Sequence, residues 1–322
     1  MSLKQQLLRK ARNLLYRHYR STKQRYEQAG RALQREFSPK ANPIADAPQI
    51  TNRHTDDRWQ SLQPVWVLST GRTGTNSLTE LLKLSPLMDA FHEPAPELFQ
   101  FSFDYAMEQF DQDTALSTLS YLRDELVFRS VRDGQIFVET NNRVTYLADL
   151  LLKLYPKSRF IHIYRNPYDF IRSGMRRKYY NGHMRDYARI KPTAQDPSHE
   201  AWTDFSPLQK VAWNWAAVNK RCLDFMNRLP DGQAMNFSSE TLFRAELPFV
   251  QSLFNFTGSV AYHPPASDIR QIMGTKHNAQ QKGRFSKPKN WNNRQIDAVN
   301  DIIAPVATKL DYQLLSTADE GI

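Results

Sequence analysis

The chain has 322 residues, 40% of them apolar, enough for a sizeable core in one large α/β domain or two small ones. A single cysteine, Cys222, excludes an internal disulfide framework and suits a reducing compartment, and no apolar run approaches the ~20 residues that a membrane span needs. The net charge of +10 is concentrated in residues 1–40, where eleven Lys/Arg stand against Glu27 and Glu36, a net +9 that leaves the remainder almost neutral.

That basic segment comes first in the chain. Leu3, Leu7, Ala11, Leu14 and Leu15 recur at helical spacing, and Tyr26, Ala29, Leu33 and Phe37 extend the stripe. The pattern predicts a basic amphipathic helical arm over residues 1–38. Three roles fit such an arm: packing on its own domain, attachment to an anionic membrane surface, or self-association. No nucleic-acid reading element accompanies the charge, so nucleic acid is not an expected partner. Arg9, Lys10 and Arg12 break up any signal-peptide core, which makes a cytoplasmic and membrane-peripheral location the expectation. Residues 39–61, with Pro39, Pro43 and Pro48, read as a linker; residues 62–315 form the domain and 316–322 a tail.

The domain opens on Val65-Trp66-Val67-Leu68, a short buried strand, followed by Ser69-Thr70-Gly71-Arg72-Thr73-Gly74-Thr75-Asn76 and a helical pattern over 75–84. A cation among glycines ahead of a helix start is an anion cradle, because the first-turn amides and the helix dipole face the ligand. The Gly-Lys-Ser/Thr of a Walker A loop is absent, which disfavours a nucleoside triphosphate. A strand over 87–91 leads to His92-Glu93-Pro94, a helix follows over 114–130, and then come a strand at 135–139 and a helix over 144–154. The strand Ser158–Tyr164 ends at Arg165-Asn166-Pro167, where Pro167 suits the first turn of a helix reaching about residue 178. Arg165 and Ser173 would then converge on one anion, the arginine as a bidentate fork and the serine as a hydroxyl donor. Residues 179–206 lack periodicity and read as a long substrate loop. Beyond them lie a helix over 208–227, a strand at 234–237, and helices over 241–256 and 293–310. Alternating strands and helices predict a parallel sheet with helices on both faces and a site at the carboxyl ends of the strands.

Taken together, these motifs resemble those of sulfotransferases that use 3′-phosphoadenosine 5′-phosphosulfate (PAPS). Gly71-Arg72-Thr73-Gly74-Thr75-Asn76 is similar to the family's Pro-Arg/Lys-Ser-Gly-Thr-Thr loop for the 5′-phosphosulfate, with Gly71 in place of Pro and Asn76 in place of the second Thr. Arg165, Asn166, Pro167 and Ser173 match the segment that holds the 3′-phosphate. Phe237-Ser238-Ser239-Glu240-Thr241-Leu242 and Lys282-Gly283-Arg284 agree more loosely with a turn and a late basic-glycine loop of the family. The resemblance implies a P-loop-like three-layer α/β fold, PAPS as sulfuryl donor, no metal, and an acceptor hydroxyl on a carbohydrate or glycolipid.

On that reading Arg72, Thr73, Gly74, Thr75, Asn76, Arg165, Ser173, Lys282 and Gly283 bind the donor. Arg72 also stabilises charge on the departing phosphate. The acceptor hydroxyl needs a base, and Glu93 or its rival His92 stands at a strand end facing the loop. Glu139, Asn141, Asn142 and Arg143, together with Arg176, Arg177, Lys178, Tyr179 and Tyr180, are candidates for an anionic or sugar acceptor. Two alternatives are a kinase-like nucleoside-phosphate enzyme on the same fold and a non-catalytic nucleotide-binding protein at a membrane.

Overall fold

The computed structural model describes residues 57–260, 262–275 and 283–316. The basic arm, residues 39–56 of the predicted linker, Lys282 and residues 317–322 lie outside the described residues. The end of the predicted linker is a helical turn, α1 (Asp57–Ser61), whose Trp59 packs 6.1 Å from Phe128 and 6.4 Å from Tyr155, between ring centroids. It belongs to the core and not to a spacer.

In chain order come β1 (Val65–Leu68), α2 (Thr75–Leu82), β2 (Met88–His92), α3 (Phe99–Ala106), α4 (Gln112–Arg132), β3 (Ile136–Thr140) and α5 (Ala148–Leu154). Then follow β4 (Arg159–Tyr164), α6 (Pro167–Arg176), α7 (Pro207–Met226), β5 (Ala234–Ser238), α8 (Ser239–Arg244), α9 (Leu247–Thr257), α10 (Ala266–Gly274) and α11 (Asn293–Lys309). The five strands are all parallel in the order β2-β3-β1-β4-β5. From β1 the chain crosses to one side of the sheet, and from β4 to the other. The switch point therefore lies between β1 and β4, where the carboxyl ends open a crevice.

Strand alternation divides the core into two layers. Val65 and Val67 face Leu78, Leu81 and Leu82 of α2 and Phe254 of α9, whereas Trp66 and Leu68 face Leu119 of α4, Leu150 of α5 and Phe225 of α7. A third cluster, with Phe170, Trp215 and Ile303, joins α6, α7 and α11. The helix starts follow local chemistry. Asn166 accepts from the Tyr168 and Asp169 amides to start α6, and reciprocal capping boxes, Ser206 with Gln209 and Asn292 with Gln295, start α7 and α11.

Two details differ from the sequence expectations. Residues 241–256, read as one helix, form α8 and α9, broken where Ala245 takes φ 49° just before Pro248 opens the second helix. The helices α3 and α10 stand where no regular element is expected from the sequence. Among the described residues, no helix is long and apolar enough to cross a membrane.

His162 on β4 is fully buried, with Nε2 donating to Asn219 Oδ1 at 3.0 Å. Burial pushes its pKa down to about 4. The unfolded chain binds this proton near pH 6.5, so unfolded molecules hold more protons between pH 6.5 and 4. Stability from this residue is full above pH 6.5 and declines as the pH falls toward 4, by roughly 3 kcal/mol in all. Urea midpoints measured from pH 7 to 4 should fall more steeply for the wild type than for His162→Gln, which retains a donor for Asn219.

Candidate active site

The turn after β1 is built from left-handed backbone. Gly71, Arg72 and Gly74 have φ 75°, 61° and 90°. Ser69 fixes the entry: its Oγ accepts from the Gly71 amide at 3.0 Å, and its backbone N–H donates to Thr145 Oγ1 at 2.9 Å. Gly74 immediately precedes α2, and no side chain caps the first-turn amides, which leaves them directed at whatever occupies the turn. A Cβ on Gly74 would lie 2.9 Å from the Phe243 ring, so the residue must be glycine on both steric and conformational grounds. At Gly71 the positive φ excludes proline.

Across the crevice, the chain after β4 supplies the second wall. Arg165 Nη1 donates to the Arg72 carbonyl at 2.9 Å, and Trp215 Nε1 donates to the Arg165 carbonyl at 2.9 Å. Glu240 Oε1 accepts from the Asn166 amide at 3.1 Å and Oε2 from the Tyr312 hydroxyl at 2.8 Å. Burial, and then this bond to a carboxylate, raises the Tyr312 pKa well above the usual phenol range. Arg165, Arg172, Ser173 and Arg176 all face the crevice from this side.

The crevice is a cavity of about 1070 Å³. Eight arginines line it (Arg72, Arg143, Arg165, Arg172, Arg176, Arg177, Arg185 and Arg189), against three carboxylates, Glu93, Asp169 and Glu240. Like charges so placed repel. Burial first, and then the charges of Arg177 and Arg165, lowers the Arg72 pKa, which Tyr179 and Glu93 partly offset. The Nε atoms of Arg172 and Arg177 are buried without a hydrogen-bond partner among the described residues. Such a wall is built to receive multiply charged anions.

Glu93 and His92 both line the cavity. Glu93 takes φ 48°, a strained conformation for a non-glycine residue, and its amide donates to the Thr140 carbonyl at 3.2 Å. His92 Nδ1 lies 3.1 Å from the same carbonyl. The same ring nitrogen lies 2.9 Å from the Thr140 hydroxyl. The two candidates for a base are therefore held by one residue, Thr140.

Gly74, Thr75 and Asn76 line the cavity with Arg72. Thr73 is fully buried beneath the turn. Lys282 lies outside the described residues, and the Gly283 carbonyl accepts from Arg176 Nε at 3.1 Å. Among the acceptor candidates, Asn142, Arg143, Arg176, Arg177 and Tyr179 line the cavity. Asn141 instead shapes the turn, its Oδ1 accepting from the Arg143 amide at 2.9 Å. Tyr180 turns away to donate to the Ile190 carbonyl at 2.8 Å. Glu139 does not reach the cavity: it is fully buried in a bidentate pair with Arg123, at 2.6 and 3.0 Å.

Sequence reasoning missed Phe99, His183, Arg185, Arg189 and Phe243, all on the cavity wall. Arg185 and Arg189 stand four residues apart among aromatics, a signal that was available in the predicted loop. Among the described residues, no group of three or more His, Cys, Asp or Glu is arranged to hold a metal ion.

Residues 64–262 match the sulfotransferase family. The chain belongs to that family. No curated protein matches this sulfotransferase. Among solved structures it is similar to the sulfotransferase domain from the curacin biosynthetic pathway, at 13% identity and TM-score 0.48, covering 80% of this chain and 100% of that one. It is also similar to a sulfotransferase from Alicyclobacillus acidocaldarius, at 18% identity and TM-score 0.46, covering 78% and 97%. A third is STF9 from Mycobacterium avium, at 15% identity and TM-score 0.45, covering 79% and 78%.

Restoring the usual proline should harm this member of the family. Gly71→Pro imposes a negative φ and removes the amide that Ser69 Oγ accepts, a cost on the order of 1–3 kcal/mol. Gly71→Asn, which tolerates left-handed backbone, should be milder. The ranking of melting temperatures, wild type above Asn above Pro, checks this.

Proposed function

We propose that this sulfotransferase moves a sulfuryl group from PAPS to a hydroxyl of a carbohydrate or glycolipid. The observation that carries the reading is a pair of anion stations on adjacent strand ends, the uncapped start of α2 with Arg72 and the Arg165/Ser173 wall, linked by the 2.9 Å bond from Arg165 to Arg72. Two phosphates on one nucleotide, 5′ and 3′, fit two such stations. The Nε of Arg172, buried without a hydrogen-bond partner among the described residues, supports an anionic occupant. PAPS, when bound, supplies an activated sulfuryl group on a phosphate that departs as part of adenosine 3′,5′-bisphosphate.

The chain's own residues then divide the work. Arg72 faces the 5′ station and stabilises the negative charge that grows on the departing phosphate oxygen. Glu93 takes the proton of the acceptor hydroxyl as its oxygen forms the new S–O bond and the old one to phosphate breaks. His92, held beside it by Thr140, is the competing base. A polar acceptor such as a sugar suits walls of arginine, asparagine and aromatic rings.

Calorimetry should find adenosine 3′,5′-bisphosphate binding far more tightly than AMP. Arg165→Ala should remove most of that preference, a loss on the order of 1.5–3 kcal/mol. Equal affinities for the two nucleotides would exclude the donor assignment.

Glu93→Gln should reduce turnover ~100- to 10,000-fold while leaving bisphosphate affinity intact. An active Glu93→Gln beside a dead His92→Ala would transfer the base role to His92. Arg72→Ala should lower kcat more than it weakens nucleotide binding, and the reverse pattern would make Arg72 a clamp only.

A further inference from the structure

We infer that the acceptor itself carries an anionic group, a carboxylate, sulfate or phosphate, beside the hydroxyl that receives the sulfuryl group. This rests on the sulfotransfer reading above and deepens it.

The cavity holds more positive charge than the nucleotide stations use. Beyond Arg72, Arg165 and Arg172, a second group stands on other elements: Arg143 after β3, Arg177 after α6, and Arg185 and Arg189 in the 179–206 segment. Its members are held mainly by aromatic faces. The Arg143 and Arg185 guanidinium carbons lie 4.3 and 3.9 Å from the Phe99 ring centroid, and that of Arg189 lies 3.6 Å from Tyr179. An aromatic face orients a guanidinium but leaves its charge uncancelled. Of the four, Arg189 has a carboxylate partner, Asp186 at 3.0 Å.

Arg143 is the decisive member. It is 5% exposed, its Nη1 donates to the Ala188 carbonyl at 2.7 Å, and its Nε has no partner among the described residues. Arg177 Nε is likewise buried and unpartnered. Burying a cation with open donors is costly unless an anion completes it. The group's field is also felt by its neighbours: burial and then Arg189, with Arg177 and Arg185 adding, hold His183 below the usual imidazole range.

Glu93 assigns this charge to the acceptor. It lines the same cavity as Arg72 and Arg143, and its charge partly offsets the burial of both guanidinium groups. A hydroxyl presented to Glu93 with its sulfur acceptor site toward Arg72 leaves the rest of the acceptor against Arg143 and its neighbours. A neutral acceptor would desolvate these cations and return nothing; an anionic one completes them.

The test uses the full chain saturated with adenosine 3′,5′-bisphosphate and two matched probes, p-nitrophenyl glucuronide and p-nitrophenyl glucoside. Calorimetry should find the glucuronide bound about tenfold more tightly or better. Arg185→Gln, which loses a partly exposed cation without opening the core, should draw that ratio toward one while bisphosphate affinity stays unchanged. Equal affinity for the two probes, binding of neither, or an undiminished ratio in Arg185→Gln overturns the inference. Failure of the bisphosphate to bind would instead count against the donor assignment, and the same probe pair on the nucleotide-free chain would still report the charge preference.

Discussion

The bond from Arg165 Nη1 to the Arg72 carbonyl joins the ends of β1 and β4 across the point where the chain's crossovers part. Each partner depends on it. Arg72 sits in left-handed backbone that open solvent would not hold, and Arg165, whose other guanidinium nitrogen lies 4.0 Å from Asp169, is thereby aimed across the crevice. Tying the guanidinium of one turn to the carbonyl of the other fixes the two turns at a set separation. Preorganisation of this kind spares the ordering that a ligand would otherwise have to impose.

Positive charge on that scale also shapes how the walls are made. Carboxylates would neutralise the arginines and abolish the field, and the structure uses them sparingly. Phe99 and Tyr179 hold guanidinium groups by their faces, and the carbonyls of Arg72, Ala188 and Gly283 accept hydrogen bonds from Arg165, Arg143 and Arg176. These are partners that orient a cation without cancelling it. The scaffold thereby keeps its potential for an incoming anion.

Short-range chemistry is what the sequence made legible. The strand, glycine turn and helix around Arg72, and the strand, proline and helix around Arg165, are each written in a run of about a dozen residues, and each forms where it was read. Residues brought in from a distance were not legible. Phe243 lies over Gly74 through the packing of α8, and Phe99 belongs to a helix whose aromatic-rich pattern conceals its period. Glu139 was misread for a reason of parity. It shares a strand face with Phe137, two residues earlier, and that face turns into the core toward α4, where Arg123 meets it. Counting alternation from Phe137 would have placed the carboxylate inside.

The segment that matches the family as a whole ends at residue 262, but the architecture of the crevice does not. Tyr312 reaches back to Glu240, which itself holds the Asn166 amide, and the Leu315 amide donates to the Tyr168 hydroxyl at 2.8 Å. The last turn of described chain is thus a buttress for the first turn of α6, two residues from Arg165. A chain stopped at the edge of the recognisable family segment would keep Arg72, Arg165 and Ser173 in its sequence, yet it would release the strut that squares them. Recognition by likeness and mechanical completeness have different boundaries in this molecule.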